Sequence, residues 1–485
     1  MVALVVFGRH VGRPGLWRDE AATIAVVRRS FVEIFKLSGH VDLVHLAYYL
    51  VADFAWQINE SVTAVRLISV VAMSLAAGML VLIGRELGSV RLGTLAGLLL
   101  VVNPFASRYA QEARPFASAT LVATVSTYLV LRLLQNPSRR NQLAYGASLV
   151  ALGLLNVLAL MLVLSHAWLV WWVGDRSDRL RWVWSAGGGL AVVSPFVVIT
   201  LTQRGQVSWI ERPHLFDLRA LATQEFGSRL APFLVVALLG TVFAVRLVSV
   251  RAGWTRWSFW PSAPARTAVQ LGIGWAVLPA VVLFLGSQVK PFWDVHYLVF
   301  TLPGLALLLA GLIPGLTSPS AVRSSIAFIA PVLLIATLGL NAQITYRDRV
   351  VGHLEDLSGV SDYLGDRVVP GDAVLFLPSD LRVLSEVSPD EFALLDDVLV
   401  NRTPLQAANL VGTPIDTSSA VDALRPHPRV WLIEGLFKNH LTAVEEKGRS
   451  LLSKEYEQVK EVAPEEVTDV RITLWERRAL PPAGS

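Results

Sequence analysis

Three polar stretches interrupt an otherwise apolar chain, and each carries residue types suited to chemistry on an anionic substrate. The first reads Leu16-Trp17-Arg18-Asp19-Glu20-Ala21-Ala22-Thr23. Its adjacent carboxylates, Asp19 and Glu20, follow an apolar segment and so fall at a membrane surface, where charge is costly unless solvated, paired or used. A plainer reading is a solvated helix start, since acids favour a first turn. The same loop continues through His40, Asp42, His45, Tyr48 and Tyr49. The second stretch runs from Asn103 to Phe116 and contains Gln111-Glu112-Ala113-Arg114-Pro115. Pro115 suits the first turn of a following helix, because that position needs no donor. Arg114 then lies at the helix N-terminus, where backbone N–H groups and a guanidinium can jointly hold an anion; the plain alternative is an arginine snorkelling to headgroups. The third stretch, Gln288 to Tyr297, offers Lys290 and His296. Here Trp293 and Tyr297 read equally well as an aromatic belt, and Lys290 as an ordinary flank.

These loops need a membrane frame to position them. Of 485 residues, 53% are hydrophobic and 16% charged, against about 25% charged in an ordinary soluble chain. The deficit is confined to residues 1–345, which hold long apolar runs; residues 346–485 have a soluble composition. A span needs about 20 mostly apolar residues. Runs of that kind lie near 63–83, 91–107, 115–134, 142–157, 158–174, 182–202, 232–250, 267–287, 296–313 and 324–343. Only Asn156 divides the pair across 142–174. The stub Val2–Gly8 is too short to span and lacks the charged start and cleavage site of a signal peptide; its plain reading is a short surface segment, and the preferred one is a first helix cut short by a late start. Counting it predicts about eleven transmembrane helices. Loops at 84–91, 135–141, 175–181, 251–266 and 314–323 carry Arg85, Arg91, Arg139, Arg140, Arg176, Arg179, Arg181, Arg251, Arg256 and Arg266 with few acids. The positive-inside rule makes that set cytoplasmic. Segments 17–62, 108–114, 203–231 and 288–295, with everything after about 344, then lie outside, so all three polar stretches share one face.

The formal charge of +4 sits mainly in those short loops, so topology accounts for it. No RNA-recognition, helix-turn-helix or zinc-finger pattern is present, which argues against nucleic acid as a partner. With no cysteine in the chain, disulfides, thiolate catalysis and Cys-ligated metals are excluded.

Taken together, the three stretches resemble the GT-C class of membrane glycosyltransferases, specifically the glycosyltransferase family 39-type group of protein O-mannosyltransferases and aminoarabinose transferases, in an actinobacterial subgroup. The residues carrying the resemblance are Leu16-Trp17-Arg18-Asp19-Glu20-Ala21, the His40/Asp42/His45/Tyr48/Tyr49 segment, Arg108-Tyr109-Ala110-Gln111-Glu112-Ala113-Arg114-Pro115, and Pro291 to Tyr297 ahead of a helix containing Pro303. The match spans roughly residues 1–345. Many relatives carry His-Pro-Pro before the paired tyrosines, where this chain has Val44-His45-Leu46-Ala47, and Arg-Tyr where it has His296-Tyr297. Histidine is only partly charged near neutrality, and Lys290 is a candidate for the missing charge.

The resemblance implies a polyprenyl-phosphate sugar donor and inversion at the anomeric carbon. The sugar is expected to be mannose, with arabinose or another pentose next, and the acceptor a lipid glycan, a polysaccharide or a protein. Asp19 is the expected base, with Glu20 beside it in the catalytic pair. Arg114, Lys290, His296 and Tyr297 are the expected donor-phosphate ligands. His40, Asp42, His45, Tyr48, Tyr49, Gln111 and Glu112 would contact substrate or orient these groups. No cofactor is required if cations hold the phosphate; a divalent ion, magnesium or manganese, is an alternative ligand for Asp19, Asp42 and His45, though no spacing approaches a zinc signature. The expected location is the cell membrane, multi-pass, with the lipid bilayer as a further partner.

The expected domains are a transmembrane catalytic domain, 1–345, with its catalytic outer loop at 17–62, and a small extracytoplasmic α/β domain, 346–485. In the latter, Val374–Leu377, Val430–Glu434, Tyr456–Val462 and Val470–Glu476 read as strands and Thr442–Leu452 as a helix. Asp390, Asp396 and Asp397 read as a solvated helix face. Acceptor binding or a lid is the expected role of this domain. Two other functions fit part of the sequence: a transporter or flippase of lipid-linked sugars, disfavoured by the lack of an internal repeat or mid-span ionisable groups, and a non-catalytic GT-C scaffold for envelope assembly.

Overall fold

The computed structural model describes residues 1–203, 210–229, 262–313, 321–352, 355–436, 441–462 and 470–478. The run expected at 232–250, with Arg251 and Arg256, lies outside them. Two compact units divide the chain. One comprises residues 1–11, 44–48 and 63–344; the other comprises 12–43, 49–62 and 345–485. Most of the first polar loop therefore packs with the C-terminal residues.

The first unit is helical. Its early elements are α1 (Val2–Gly8), then, beyond α2 (Arg18–Val27) and α3 (Phe31–Ser38) of the other unit, α4 (Leu46–Ile58), which begins in this unit, α5 (Val62–Glu86), α6 (Val90–Val102), α7 (Pro104–Tyr109), α8 (Phe116–Gln135), α9 (Arg139–Leu155), α10 (Leu162–Val173), α11 (Arg176–Thr202) and α12 (Leu215–Phe226). Helices Ala263–Val289, Leu302–Leu312 and Ala321–Leu338 follow. Among the described residues five segments are long and apolar enough to cross a membrane: Val62–Glu86, Phe116–Gln135, Arg176–Thr202, Ala263–Val289 and Val295–Leu312. The protein is thus an α-helical polytopic membrane protein.

Polar residues cap helical turns at three places in or beside the expected runs, and the first of them divides the run expected at 91–107. Asn103 ends α6 and caps α7 by accepting from the Ala106 amide, while Pro104 takes the first helical position. Asn156 ends α9, and its Oδ1 accepts from Leu158 and Ala159 to start a 3-10 turn before α10. Asp294 caps the 3-10 turn Val295–Thr301 that precedes Leu302–Leu312. In each case a short side-chain acceptor satisfies helix-start amides that would otherwise be orphaned. The close pairing of α5 and α6 depends on Gly84 and Gly93. A Cβ on Gly93 would meet the Leu80 carbonyl at 2.5 Å and the Gly84 Cα at 2.8 Å. Small residues at such a crossing let two backbones approach. Helix α8 packs on α9 and on the turn Val295–Thr301, which fixes that turn beside the start of α8.

The second unit contains a five-stranded sheet in the order β2-β1-β5-β7-β6. The strands are β1 (Asp372–Leu377), β2 (Leu395–Asp397), β5 (Arg429–Gly435), β6 (Tyr456–Val462) and β7 (Val470–Arg477); β3 (Val400–Arg402) and β4 (Thr413–Pro414) form a separate pair. β1 runs parallel to β2 and β5, and β7 antiparallel to β5 and β6. All six residues of β1 are buried, and its apolar run Ala373–Leu377 is of the kind a covered parallel strand requires. The expected strands and the helix Ala443–Glu455 are present. The acidic stretch differs from its expected helix face. Asp390 lies in the short helix Pro389–Phe392, but Asp396 and Asp397 lie on β2. Asp397 accepts from the buried Arg382 in a short contact.

Segment 12–43 of this unit lies along residues 349–358. The Gly15 amide donates to the Arg349 carbonyl at 2.9 Å, and the Leu357 amide to the Leu16 carbonyl at 2.7 Å. Gly15 must be glycine for this approach, because a Cβ there would fall 2.6 Å from the Asp356 carboxylate. Arg29, at the end of α2, donates to Glu386 and to the Asn409 carbonyl, both at 2.9 Å.

Candidate active site

In the helical unit the site is built around the start of α8. That helix has 20 residues and begins after Pro115 with no side-chain cap on its amides, so its positive end remains available to an anion. Arg114 immediately precedes it and is 7% exposed. Its backbone carbonyl and that of Glu112 both accept from Ser69 on α5, at 3.4 and 2.6 Å. The guanidinium meets His45 Nε2 at 3.0 Å. Burial holds the His45 imidazole well below its ordinary value, with the charges of Arg114 and His296 acting in the same direction. A neutral His45 can accept from Arg114 and fix the guanidinium without cancelling its charge.

His296 packs on Phe116, the first residue of α8, with ring centroids 4.9 Å apart, and on Tyr297 at 4.3 Å. Its Nδ1 lies 2.8 Å from Asp294 Oδ1. Burial alone would raise the Asp294 carboxyl, but the hydrogen bond and charge of His296 outweigh it and hold Asp294 below the usual carboxylate range. Asp294 therefore orients the ring as carboxylates orient functional histidines elsewhere. Sequence reasoning passed over Asp294; the signal was the Asp-x-His spacing, which lets one carboxylate cap the turn and hold the ring. Lys290 ends helix Ala263–Val289 and lies 5.6 Å from the Phe292 ring.

Gln111 and Glu112 are both buried in this unit. The Gln111 amide donates to the carbonyls of Phe7 and Arg9, at 2.6 and 2.8 Å, and so ties this loop to the end of α1. Glu112 accepts from Arg108 at 3.2 Å. Tyr48 is fully buried at the start of α4.

The other unit holds Asp19, Glu20 and Asp42. Asp19 and Glu20 occupy the second and third positions of α2, Asp19 partly exposed and Glu20 fully buried. Asp42 adopts a left-handed backbone, φ 58°, which aspartate tolerates better than most residues. Its Oδ2 accepts from the Tyr49 hydroxyl at 2.8 Å. His40 is exposed, with Nδ1 2.8 Å from the Lys36 carbonyl. Among the described residues, no three or more of His, Asp and Glu gather as a group able to hold a metal ion.

No family model and no curated protein matches the chain by sequence. Solved structures do match. The apo structure of ArnT from Cupriavidus metallidurans aligns over 98% of this chain and 96% of its own, with a TM-score of 0.60 and 14% identity. The same protein bound to undecaprenyl phosphate aligns over the same shares at 0.57. The oligosaccharyltransferase AglB from Archaeoglobus fulgidus aligns over 96% of this chain and 74% of its own, at 0.45 and 11% identity. The chain shares the fold of the ArnT structures.

Proposed function

We propose that this chain transfers a sugar from a polyprenyl-phosphate donor to a hydroxyl acceptor on the extracytoplasmic face of the cell membrane, with inversion. The observation that carries the reading is the geometry at the start of α8. An uncapped helix start, Arg114 held by a neutral His45, and a carboxylate-oriented His296 converge there. A lipid phosphate is the anion expected at such a place in a membrane protein, and the ArnT structure with undecaprenyl phosphate shows that a protein of this fold can hold one.

Asp19 acts as the base in this reading. It takes the proton from the acceptor hydroxyl as that oxygen attacks the anomeric carbon. The bond from the anomeric carbon to the lipid phosphate breaks, and the phosphate leaves with the electron pair. Charge accumulates on the phosphate oxygens in the transition state, where preorganised cations lower the barrier most. Arg114 supplies that charge first, with His296 and Lys290 as further donors and Tyr297 beside them. Asp42, oriented by Tyr49, together with His40, is suited to sugar or acceptor hydroxyls, and Glu20 supports the Asp19 turn. No metal is needed for these steps. Mannose is the sugar we propose, from the resemblance of the loop motifs. The face follows from the arginine-rich loops on the opposite side.

The reading is tested by adding undecaprenyl phosphate to the purified protein and following its thermal unfolding. Wild type should gain several degrees, and Arg114→Ala should lose that gain while melting normally without lipid. Equal gains in both proteins would remove Arg114 from the phosphate site, and no gain in wild type would count against a lipid-phosphate donor.

A further inference from the structure

Helix α2, which carries Asp19 and Glu20, has no cap of its own. Trp17 occupies the N-cap position with an extended backbone and an indole that cannot accept from the helix amides. The acceptor comes instead from far along the chain. Glu355 Oε2 accepts the Arg18 amide at 2.9 Å, while its Oε1 accepts from the Arg18 guanidinium at 2.7 Å. One carboxylate thus caps the first amide of α2 and grips the side chain of the same residue. The second nitrogen of that guanidinium reaches Asp380 Oδ2 at 3.1 Å.

Asp380 lies just beyond the carboxyl end of β1, with Ser379 between it and Pro378. The Ser379 amide is pinned by Glu445 Oε1 at 2.7 Å. In the sheet β1 has β2 on one side and β5 on the other, so the chain reverses direction across the sheet at β1. Open α/β sheets bind their ligands at the carboxyl ends of strands flanking such a switch point. In this unit a side chain from the protein's own polar loop, Arg18, is held at that edge.

We infer that Glu355 is a positioning residue for transfer: by capping α2 and gripping Arg18 it sets where Asp19 stands, and the α/β domain uses its sheet edge to hold the catalytic helix. The inference rests on the reading of Asp19 as the base. It also assigns the domain a task other than acceptor binding or a lid.

The two carboxylates that hold Arg18 are not equivalent. Glu355 makes two short hydrogen bonds, one of them to backbone, whereas Asp380 makes one and leaves its buried Oδ1 without a partner among the described residues. Burial, the largest influence, raises the Asp380 carboxyl; Arg18 opposes it, and the nearby Glu355 and Glu445 add to the rise. Removing the charge at 380 should therefore cost little, and removing it at 355 should cost much.

The experiment compares Glu355→Gln, Glu355→Asp, Asp380→Asn and Asp19→Asn in the full-length protein. It measures transfer kinetics together with hydrogen exchange at the amides of residues 18–22. Glu355→Gln should lower kcat about tenfold, with the KM for the lipid donor within twofold of wild type, and should speed exchange at those amides. Asp380→Asn should stay within twofold on every measure, and Glu355→Asp should recover part of the loss. Exchange and kcat unchanged in Glu355→Gln would overturn the inference, as would equal losses in Glu355→Gln and Asp380→Asn. If Glu355→Gln fails to fold, slower kcat with faster local exchange in Glu355→Asp supports the inference, and wild-type values in that variant overturn it. Full transfer by Asp19→Asn would instead overturn the assignment of the base, while faster exchange in Glu355→Gln would still show the cap.

Discussion

Arg114 and Asp19, the proposed phosphate ligand and the proposed base, are held in opposite ways. Arg114 stands at the start of a long helix whose approach is fixed by neighbours close in space within the helical unit, and its loop is tied down by Ser69 and by the carbonyls of Phe7 and Arg9. Asp19 stands on α2, which has 10 residues and takes its cap and its anchors from residues 355, 380, 386 and 409. The proposed phosphate ligand thus takes its supports from within the helical unit. The proposed base stands on a helix whose cap and anchors come from C-terminal residues of its own unit. Changes near Arg114 should therefore appear in donor binding and turnover, and changes around α2 mainly in turnover.

The largest effect expected from breaking this contrast is at the base. Asp19→Asn keeps the shape and removes the proton acceptor, so transfer should fall by ~10²–10⁴-fold, with folding and membrane insertion intact; measuring transfer at saturating donor checks it. Arg114→Ala comes next. Removing one preorganised donor of this kind costs about 10²–10³-fold in turnover, and the KM for donor should rise as well. Asp294→Asn leaves His296 in place without its orienting charge, and transfer should fall by on the order of tenfold through loss of ring orientation. Its check is a kinetic comparison with His296→Ala, which should be at least as impaired.

The smallest effect concerns stability. Because His45 is depressed in the folded protein from an ordinary value of 6.5, the unfolded chain binds a proton there before the folded one does. Its contribution to stability is full above about pH 6.5 and is lost as pH falls below that value. The melting temperature should decline on the acid side, and His45→Gln should flatten that decline. An unchanged acid-side slope in the variant would remove His45 as its source.

The contrast also explains which parts were legible in the sequence. Long apolar runs announced the membrane helices, because crossing a bilayer demands length and hydrophobicity that few soluble segments have. Arg114 was legible because Arg-Pro ahead of an apolar run has a local meaning at a helix start. The same local logic located Asp19-Glu20, and period-2 patterning located β7. The helix break at Asn103 was hidden inside a run read as a single span, since one capping residue changes hydropathy little. Pairings were hidden altogether. Nothing in the sequence joined Arg18 to Glu355 and Asp380, over 300 positions away, and the close approach at Gly15 becomes apparent only when Asp356 is seen beside it. The Asp390–Asp397 stretch misled for a related reason: acids read as a solvated surface until β2 pairs with β1 and Asp397 finds Arg382.

The central claim is sugar transfer from a lipid phosphate, and its most direct test is turnover. Purified protein in lipid would be incubated with a panel of polyprenyl-phosphate sugars, and release of polyprenyl phosphate followed over time. The account predicts consumption of at least one donor, the mannosyl form first, with loss of that consumption in Asp19→Asn. No release from any donor in the panel, together with no donor-dependent change in thermal stability, would contradict it.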